Sequence, residues 1–231
     1  MQRRSLLAAM AAPALASSAL APALAQPAWP NRPIRLVIPF PPGGTTDILG
    51  RYIAPPLSAA LGQSVIVENR TGGAGTIGAL ETIRATPDGH TICITISTLI
   101  TTALLSRQPY HPLNDITPIL HLANVANILV VNKALPVRSV AELIAYGRAN
   151  PGKLSFGSPG IGSSVHLSGE MFKQATGIDM VHVPYRGGGP ALADLVGGQL
   201  QLIFGNASST LPFVRGDQVR ALAVTAATRQ S

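Results

Sequence analysis

From Pro33 onward the chain repeats one unit: a short run of β-branched residues, a turn built of Gly or Pro, and a segment with apolar residues at helical spacing. A hydrophobic period that switches again and again between that of a strand and that of a helix leaves room for little besides an α/β fold with largely parallel strands. The spacing predicts a strand over 34–40 with Pro41, Pro42, Gly43 and Gly44 as its exit turn. Ile48, Leu49, Tyr52, Ile53 and Leu57 then mark a helix, with Asp47 placed favourably at its positive end. Pro55 and Pro56 interrupt that pattern, so a kink or break is expected there. A strand over 64–68, a helix over 75–85 and a strand over 91–97 complete a first α/β unit.

A second unit follows. Residues 116–131 are expected to contain strands, and Ser139 with Glu142 three positions on forms a capping box that opens a helix running to about Asn150. Strands over 154–157, 180–184, 200–204 and 219–225 alternate with helices over 163–175, stopped by Gly177, and 190–196. No fixed-period repeat or long linker divides these elements. Two intimately joined α/β lobes are therefore expected, over 26–122 and 123–218, with 219–231 a strand returning toward the first lobe and a cleft between the two.

The first 25 residues read differently. Arg3 and Arg4 form a basic start, an Ala- and Leu-rich stretch follows, and Ala23-Leu24-Ala25 matches a small-x-small cleavage site, so export to the periplasm and a mature chain from Gln26 are expected. The paired arginines leave both the general and the twin-arginine routes open. Pro13 and Pro22 make the stretch a poor anchor, and no later segment is apolar for long enough to span a bilayer. Cys93, alone in an exported chain, cannot form an internal disulfide and lies in an apolar run, which points to core packing.

With 46% hydrophobic and 12% charged residues, the chain can build a core and is not disordered. A net charge of +7 raises the question of a nucleic-acid partner. Lys and Arg are scattered singly, however, and aromatics amount to only 4%, which leaves no platform for base stacking.

Three Gly-rich turns join a strand to a helix: residues 39–47, 157–164 and 185–190. At such places free backbone N–H groups and the positive end of the helix dipole can receive an anion, although each turn alone is equally well explained as a connection that needs positive φ. Loops from two lobes facing each other across a cleft would hold a carboxylate by backbone N–H and by the hydroxyls of Thr45, Ser158 and Ser163. Gly73-Ala74-Gly75-Thr76-Ile77-Gly78 matches the dinucleotide fingerprint in form, but Ser97 ends the next strand where an acidic residue should meet the ribose. Close helix packing or a contact near the cleft explains these glycines better. The motifs of serine hydrolases, zincins and dithiol enzymes are missing, and the five histidines have no metal-ligand spacing, so neither a metal nor a cofactor is expected. The rival reading is a hydrolase with Ser163 or Ser164 as nucleophile and His166 as base, which lacks an acidic orienter.

Residues 33–47, Val67-Glu68-Asn69-Arg70 leading into residues 72–78, Pro87-Asp88-Gly89-His90, residues 160–167, Val183-Pro184-Tyr185-Arg186-Gly187 and residues 219–225 together resemble the Bug family of extracytoplasmic receptors of tripartite tricarboxylate transporters. The resemblance implies a two-lobed periplasmic binding protein, type II-like, that is not an enzyme, works as a monomer and closes on a small carboxylate: a di- or tricarboxylate, an acidic amino acid or an aromatic acid. It implies a membrane permease as partner. Carried over by motif, the ligand-binding positions are Pro42, Gly43, Gly44 and Thr45 in the first turn and Ser158, Gly160, Gly162, Ser163 and Ser164 in the second, with Ser97 and Asn206 besides; Asp47 either meets the ammonium of an amino-acid ligand or is only a helix-start acid, and His166 is a candidate by its place in the first turn of the helix after the second loop. Family members run longer than this chain, so the resemblance also implies a truncated chain whose first lobe is incomplete, with a non-functional remnant as the further alternative.

Overall fold

The computed structural model describes residues 28–228, so the expected leader over 1–25 and its cleavage after Ala25 lie outside the described residues. Two sheets define two lobes. The first contains β1 (Ile34–Ile38), α1 (Thr45–Leu61), β2 (Val65–Asn69), a 3-10 turn (Gly73–Gly75), α2 (Thr76–Ile83), β3 (Thr91–Cys93) and α3 (Thr98–Leu105). Its strands run parallel in the order β2-β1-β3. The central strand is covered on both faces, and the near-continuous apolar run that a buried parallel strand requires is visible in Ile34, Leu36, Val37 and Ile38, none more than 1% exposed.

The second lobe contains β4 (Asn127–Asn132), α4 (Val140–Ala149), β5 (Leu154–Ser158), α5 (Ser164–Thr176), β6 (Met180–Pro184), α6 (Gly188–Val196), β7 (Leu202–Asn206), α7 (Ala207–Arg215) and β8 (Val219–Val224). The sheet order is β6-β5-β7-β4-β8; β5, β6 and β7 are parallel, and β4 runs against both β7 and β8. The larger of the two cores lies here, on fully buried Val130, Leu154, Phe156, Leu195 and Leu202. Each such side chain contributes about 1.5–3 kcal/mol of burial. The first lobe packs only Leu36, Ile38 and Ile94 into a buried cluster and leaves Leu104, Leu113, Ile119 and Leu120 largely exposed.

Four expectations are corrected. The helix over Pro55 and Pro56 is not broken: α1 runs from Thr45 to Leu61 through both prolines. Both rings face solvent while Ala54 packs inward, so the carbonyls that lose an N–H partner lie on the side where water can replace it. Residues 116–126 form no strand; within 116–131 only β4 is extended into a sheet. The second lobe does not end at residue 218, although the strand over 219–224 runs toward the first lobe as expected, since it opposes β4 as β7 does. That strand is β8, which pairs antiparallel with β4 from Asn132↔Val219 to Ile128↔Val224 and supplies hydrogen-bond partners to the outer edge of a fully buried strand. Arg220 on β8 fastens this edge by donating to the carbonyls of Leu135 and Val137. Lastly, the strand expected over 91–97 ends at Cys93, and Thr98 begins the helix α3.

Candidate functional site: an inter-lobe cleft

The loops that leave β1, β2 and β3 in one sheet and β5, β6 and β7 in the other gather where the lobes meet, and several touch. Thr45 Oγ1 lies 2.7 Å from Ser208 Oγ on α7. Thr101 Oγ1 on α3 donates to the carbonyl of Gly162 at 2.5 Å. Gly160, at φ +134, approaches Ala74 so closely that a Cβ on it would lie 3.1 Å from the Ala74 methyl. Only glycine combines that backbone conformation with that space. Between residues 72–75 of the first lobe and residues 160–161 and 184–186 of the second remains a cleft of about 330 Å³.

Helix caps distinguish the two ends of the second lobe. Because β4 runs against β7, α4 starts at the end of the sheet away from the cleft, and Ser139 there accepts a hydrogen bond from the Glu142 N–H at 3.1 Å while Glu142 accepts from the Arg138 N–H at 2.7 Å. At the cleft, α1, α2, α3, α6 and α7 begin without any side-chain cap. Only α5 has one, from Ser163. First-turn N–H groups have no partner within their own helix, and leaving them uncapped at one shared place makes a positive, donor-rich surface.

The residues singled out in the sequence fall into three groups. Pro42, Gly43, Gly44 and Thr45 form the β1–α1 loop, and Asp47 lies just inside α1, 3% exposed. Its carboxylate accepts from Gly43 N–H at 2.9 Å, from Asn69 Nδ2 at 3.0 Å and from Arg51 Nε at 3.0 and 3.1 Å. Burial pushes its pKa up, but the hydrogen bonds from Arg51, Gly43 and Asn69 more than offset this and hold it below the usual carboxylate range. The carboxylate thereby ties the turn to β2.

Ser158, Gly160, Gly162, Ser163, Ser164 and His166 form the β5–α5 loop and its helix start. Ser163 Oγ donates to the Gly160 carbonyl at 2.7 Å and accepts from the His166 N–H at 3.1 Å. The His166 ring faces the Gly162 N–H through Nδ1 at 3.3 Å and does not reach the Ser163 hydroxyl within the hydrogen bonds of this loop. Ser163 is a buried helix cap with no base at its oxygen, which removes the geometric basis of the hydrolase reading with Ser163 as nucleophile. Ser158 is fully buried and its Oγ is 2.7 Å from His182 Nε2. His182 stacks between Phe156, at 4.9 Å, and His166, at 4.3 Å. Burial first, and the neighbouring His166 second, hold its pKa down to about 4.

Ser97 and Asn206 are the start residues of α3 and α7. Asn206 Nδ2 donates to Asn127 Oδ1 at 2.8 Å, and Asn127 Nδ2 in turn donates to Ser168 Oγ at 3.1 Å. Thr98, next to Ser97, is 1% exposed and its hydroxyl has no hydrogen-bond partner among the described residues.

Sequence reasoning missed Ser208, Thr101, His182 and Asn69, because each acts across elements far apart in the chain. The Gly73–Gly75 turn, expected as a cleft contact or a packing device, is both: Ala74 meets Gly160, while a Cβ on Gly78 would lie 2.9 Å from Pro39 Cα. Cys93 is part-buried on β3, its thiol pushed up to about 11 by burial and partly offset by a hydrogen bond with Thr82. No trio of His, Cys, Asp or Glu among the described residues is placed to hold a metal ion.

The profile of the tripartite tricarboxylate transporter family receptor matches residues 49–231. BugT of Bordetella pertussis is 36% identical over 220 residues, which are 94% of this chain and 68% of BugT. Among solved structures, Rpa4515 of R. palustris, determined with adipate, superposes with a TM-score of 0.85 at 43% identity, covering 87% of this chain and 68% of that one. MatC of Rhodopseudomonas palustris, with bound malate, gives a TM-score of 0.81 at 31% identity and covers 87% of this chain and 69% of its own. The chain thus spans about two thirds of the length of these relatives. It belongs to the tripartite tricarboxylate transporter receptor family, that of the Bug proteins, whose members are solute-binding receptors and not enzymes.

Proposed function

We propose that this protein captures a small carboxylate between its lobes in the periplasm and presents it to the permease of a tripartite tricarboxylate-type transporter, without covalent chemistry. The observation that carries the reading is the set of uncapped helix starts. Five helices start at one cleft without a side-chain cap, while the helix that starts away from it is capped by its own Ser139. Relatives that bind adipate and malate support the same ligand class.

In this reading one carboxylate sits at the open first-turn N–H groups of α1, beside Pro42, Gly43, Gly44 and Thr45, and Asp47, which takes the Gly43 N–H, holds that turn in shape rather than meeting the ligand. On the opposite wall Gly160, Gly162, Ser164 and His166 face the solute, with Ser158 and Ser163 fixing the loop through their own hydrogen bonds. Ser97 and Asn206 contribute the N-terminal ends of α3 and α7. Lobe closure brings the two walls together, and Thr45 meeting Ser208 marks the closed arrangement.

The experiment is thermal unfolding of the chain from Gln26 with and without a panel of mono-, di- and tricarboxylates and acidic amino acids. A ligand at a hundred times its Kd stabilises the folded state by about 2.7 kcal/mol, a rise of roughly 5–11 °C for a chain of this size. A cooperative transition that no carboxylate moves refutes the assignment.

A further inference from the structure

We propose that Arg186 receives a second anionic group of the captured solute, so that this cleft selects molecules carrying a carboxylate at each end over those with only one. The inference rests on the capture reading above and names what chooses among carboxylates.

Among the described residues Arg186 is the only charged side chain on the wall of the cleft; everything else there is glycine, alanine, proline, Ile161 or Tyr185. The guanidinium is exposed and has no hydrogen bond or ion pair with any described residue. The cations of α1 and β2 are spoken for: Arg70, just past the end of β2, pairs with Glu68 at 2.9 Å and Glu81 at 3.3 Å, and Arg51 is held by Asp47. An Arg left without an acid beside a donor-rich cleft has the planar, bidentate geometry that matches a carboxylate.

The backbone under Arg186 is fixed even though its side chain is free. Tyr185 N–H donates to the Ser158 carbonyl at 2.8 Å, and Tyr185 Oη donates to Asp194 at 2.6 Å, with burial and then Asp194 raising the phenol to about 12. On its other side Gly187 lies against the first Gly-rich turn: a Cβ there would come within 2.6 Å of Pro41 Cδ. The backbone that carries the guanidinium is thus held next to the loop assigned to the first carboxylate. The uncapped start of α6 at Gly188 adds its positive end on the same side. Ile161, 55% exposed on the same wall, offers apolar surface to the methylenes that join two carboxylates. The wall thus combines donor backbone, a hydrocarbon contact and one uncompensated cation.

The test is calorimetric titration of wild type, R186Q and R186K with a series of straight-chain α,ω-dicarboxylates and with the monocarboxylates of equal chain length. R186Q is expected to weaken dicarboxylate binding about tenfold or more while monocarboxylate affinity stays within about twofold, and R186K to keep part of the preference through its charge. Thermal midpoints of both variants are expected to match wild type, since the side chain has no partner to lose. Equal losses for the two ligand classes, or no loss for either, overturn the role of Arg186 while leaving capture intact. Wild type that binds neither class overturns the capture reading itself.

Discussion

Gly169 lies on the buried side of α5, facing the ring of Phe156 on β5. A Cβ at this position would lie 2.2 Å from Phe156 Cε2, 2.6 Å from Cδ2 and 2.7 Å from Cζ. Ordinary carbon contacts need about 3.5–4.0 Å, so Gly169→Ala forces α5 and the ring apart by more than about 1 Å. The ring has little room to yield: Phe156 is 0% exposed and packs 4.9 Å from His182, which holds Ser158. Overpacking of this severity costs about 3 kcal/mol, and alanine's better helix propensity returns about 1 kcal/mol. The net loss of about 2 kcal/mol lowers the midpoint by roughly 4–8 °C in a chain of this length. Thermal and urea unfolding of Gly169→Ala measure it, with Gly189→Ala, where nothing lies within 4 Å of the added methyl, as the control expected to be neutral or slightly stabilising. Phe156→Leu supplies the second arm, because removing the ring's edge should make the alanine substitution nearly harmless in that background. A Gly169→Ala protein as stable as wild type, or an undiminished cost of the alanine once Phe156→Leu has removed the ring, refutes the close-approach argument.

Asp47→Asn turns one acceptor oxygen into a donor facing Gly43, Arg51 or Asn69, so we expect a loss of about 1–3 kcal/mol together with weaker carboxylate binding, read by denaturation and calorimetry. A variant with unchanged stability and unchanged affinity would show that the brace is dispensable. His182 predicts a pH dependence with a definite sign. Its pKa is about 4 in the folded chain against 6.5 unfolded, so between those values the unfolded state binds the extra proton. Stability is therefore full above pH ~6.5 and falls as the pH drops toward ~4, by about 1–2 kcal/mol after allowance for the ring's partial exposure. The groups facing His182 are Ser158, Phe156, His166, Glu170 and Lys173. Glu68 titrates lower, held at about 2 chiefly by Arg35, whereas His166, also lowered by burial, adds a slope of the same sign in wild type and variant alike. Midpoints of wild type and His182→Gln across the window should diverge, the variant showing the shallower slope; parallel curves would remove His182 as the cause.

The alternation of strand and helix was legible because it follows from local periodicity. β1, β5, β6 and β7 and the capped α4 fall where the pattern places them, since an apolar run and a Ser–Glu cap act within a few residues. α3 and α7 were not legible. Thr98 to Leu105 has the composition of a strand, and α7 carries Pro212, so what makes them helices is tertiary packing, of α3 against the Gly73–Gly75 turn and of α7 against β7, β8 and α1, rather than propensity. The prolines of α1 show the same override in reverse, where a helix held by its buried face passes through residues that would end it in isolation.

For the site, the sequence alone supplied the Gly-rich turns, because positive φ and close backbone approach admit few other residues. It also supplied the family, through motifs in a fixed order along the chain. Only the tertiary structure decided what those residues do. Asp47 braces a turn because Asn69 from the next strand and Arg51 from its own helix reach it; Ser163 is a cap and Ser158 a histidine partner; β8 closes the second sheet; and Arg186 is left, among the described residues, the one unpaired charge on the cleft wall. Local physics writes turns and periods into the chain, whereas pairing between distant residues depends on which surfaces the packed lobes bring together.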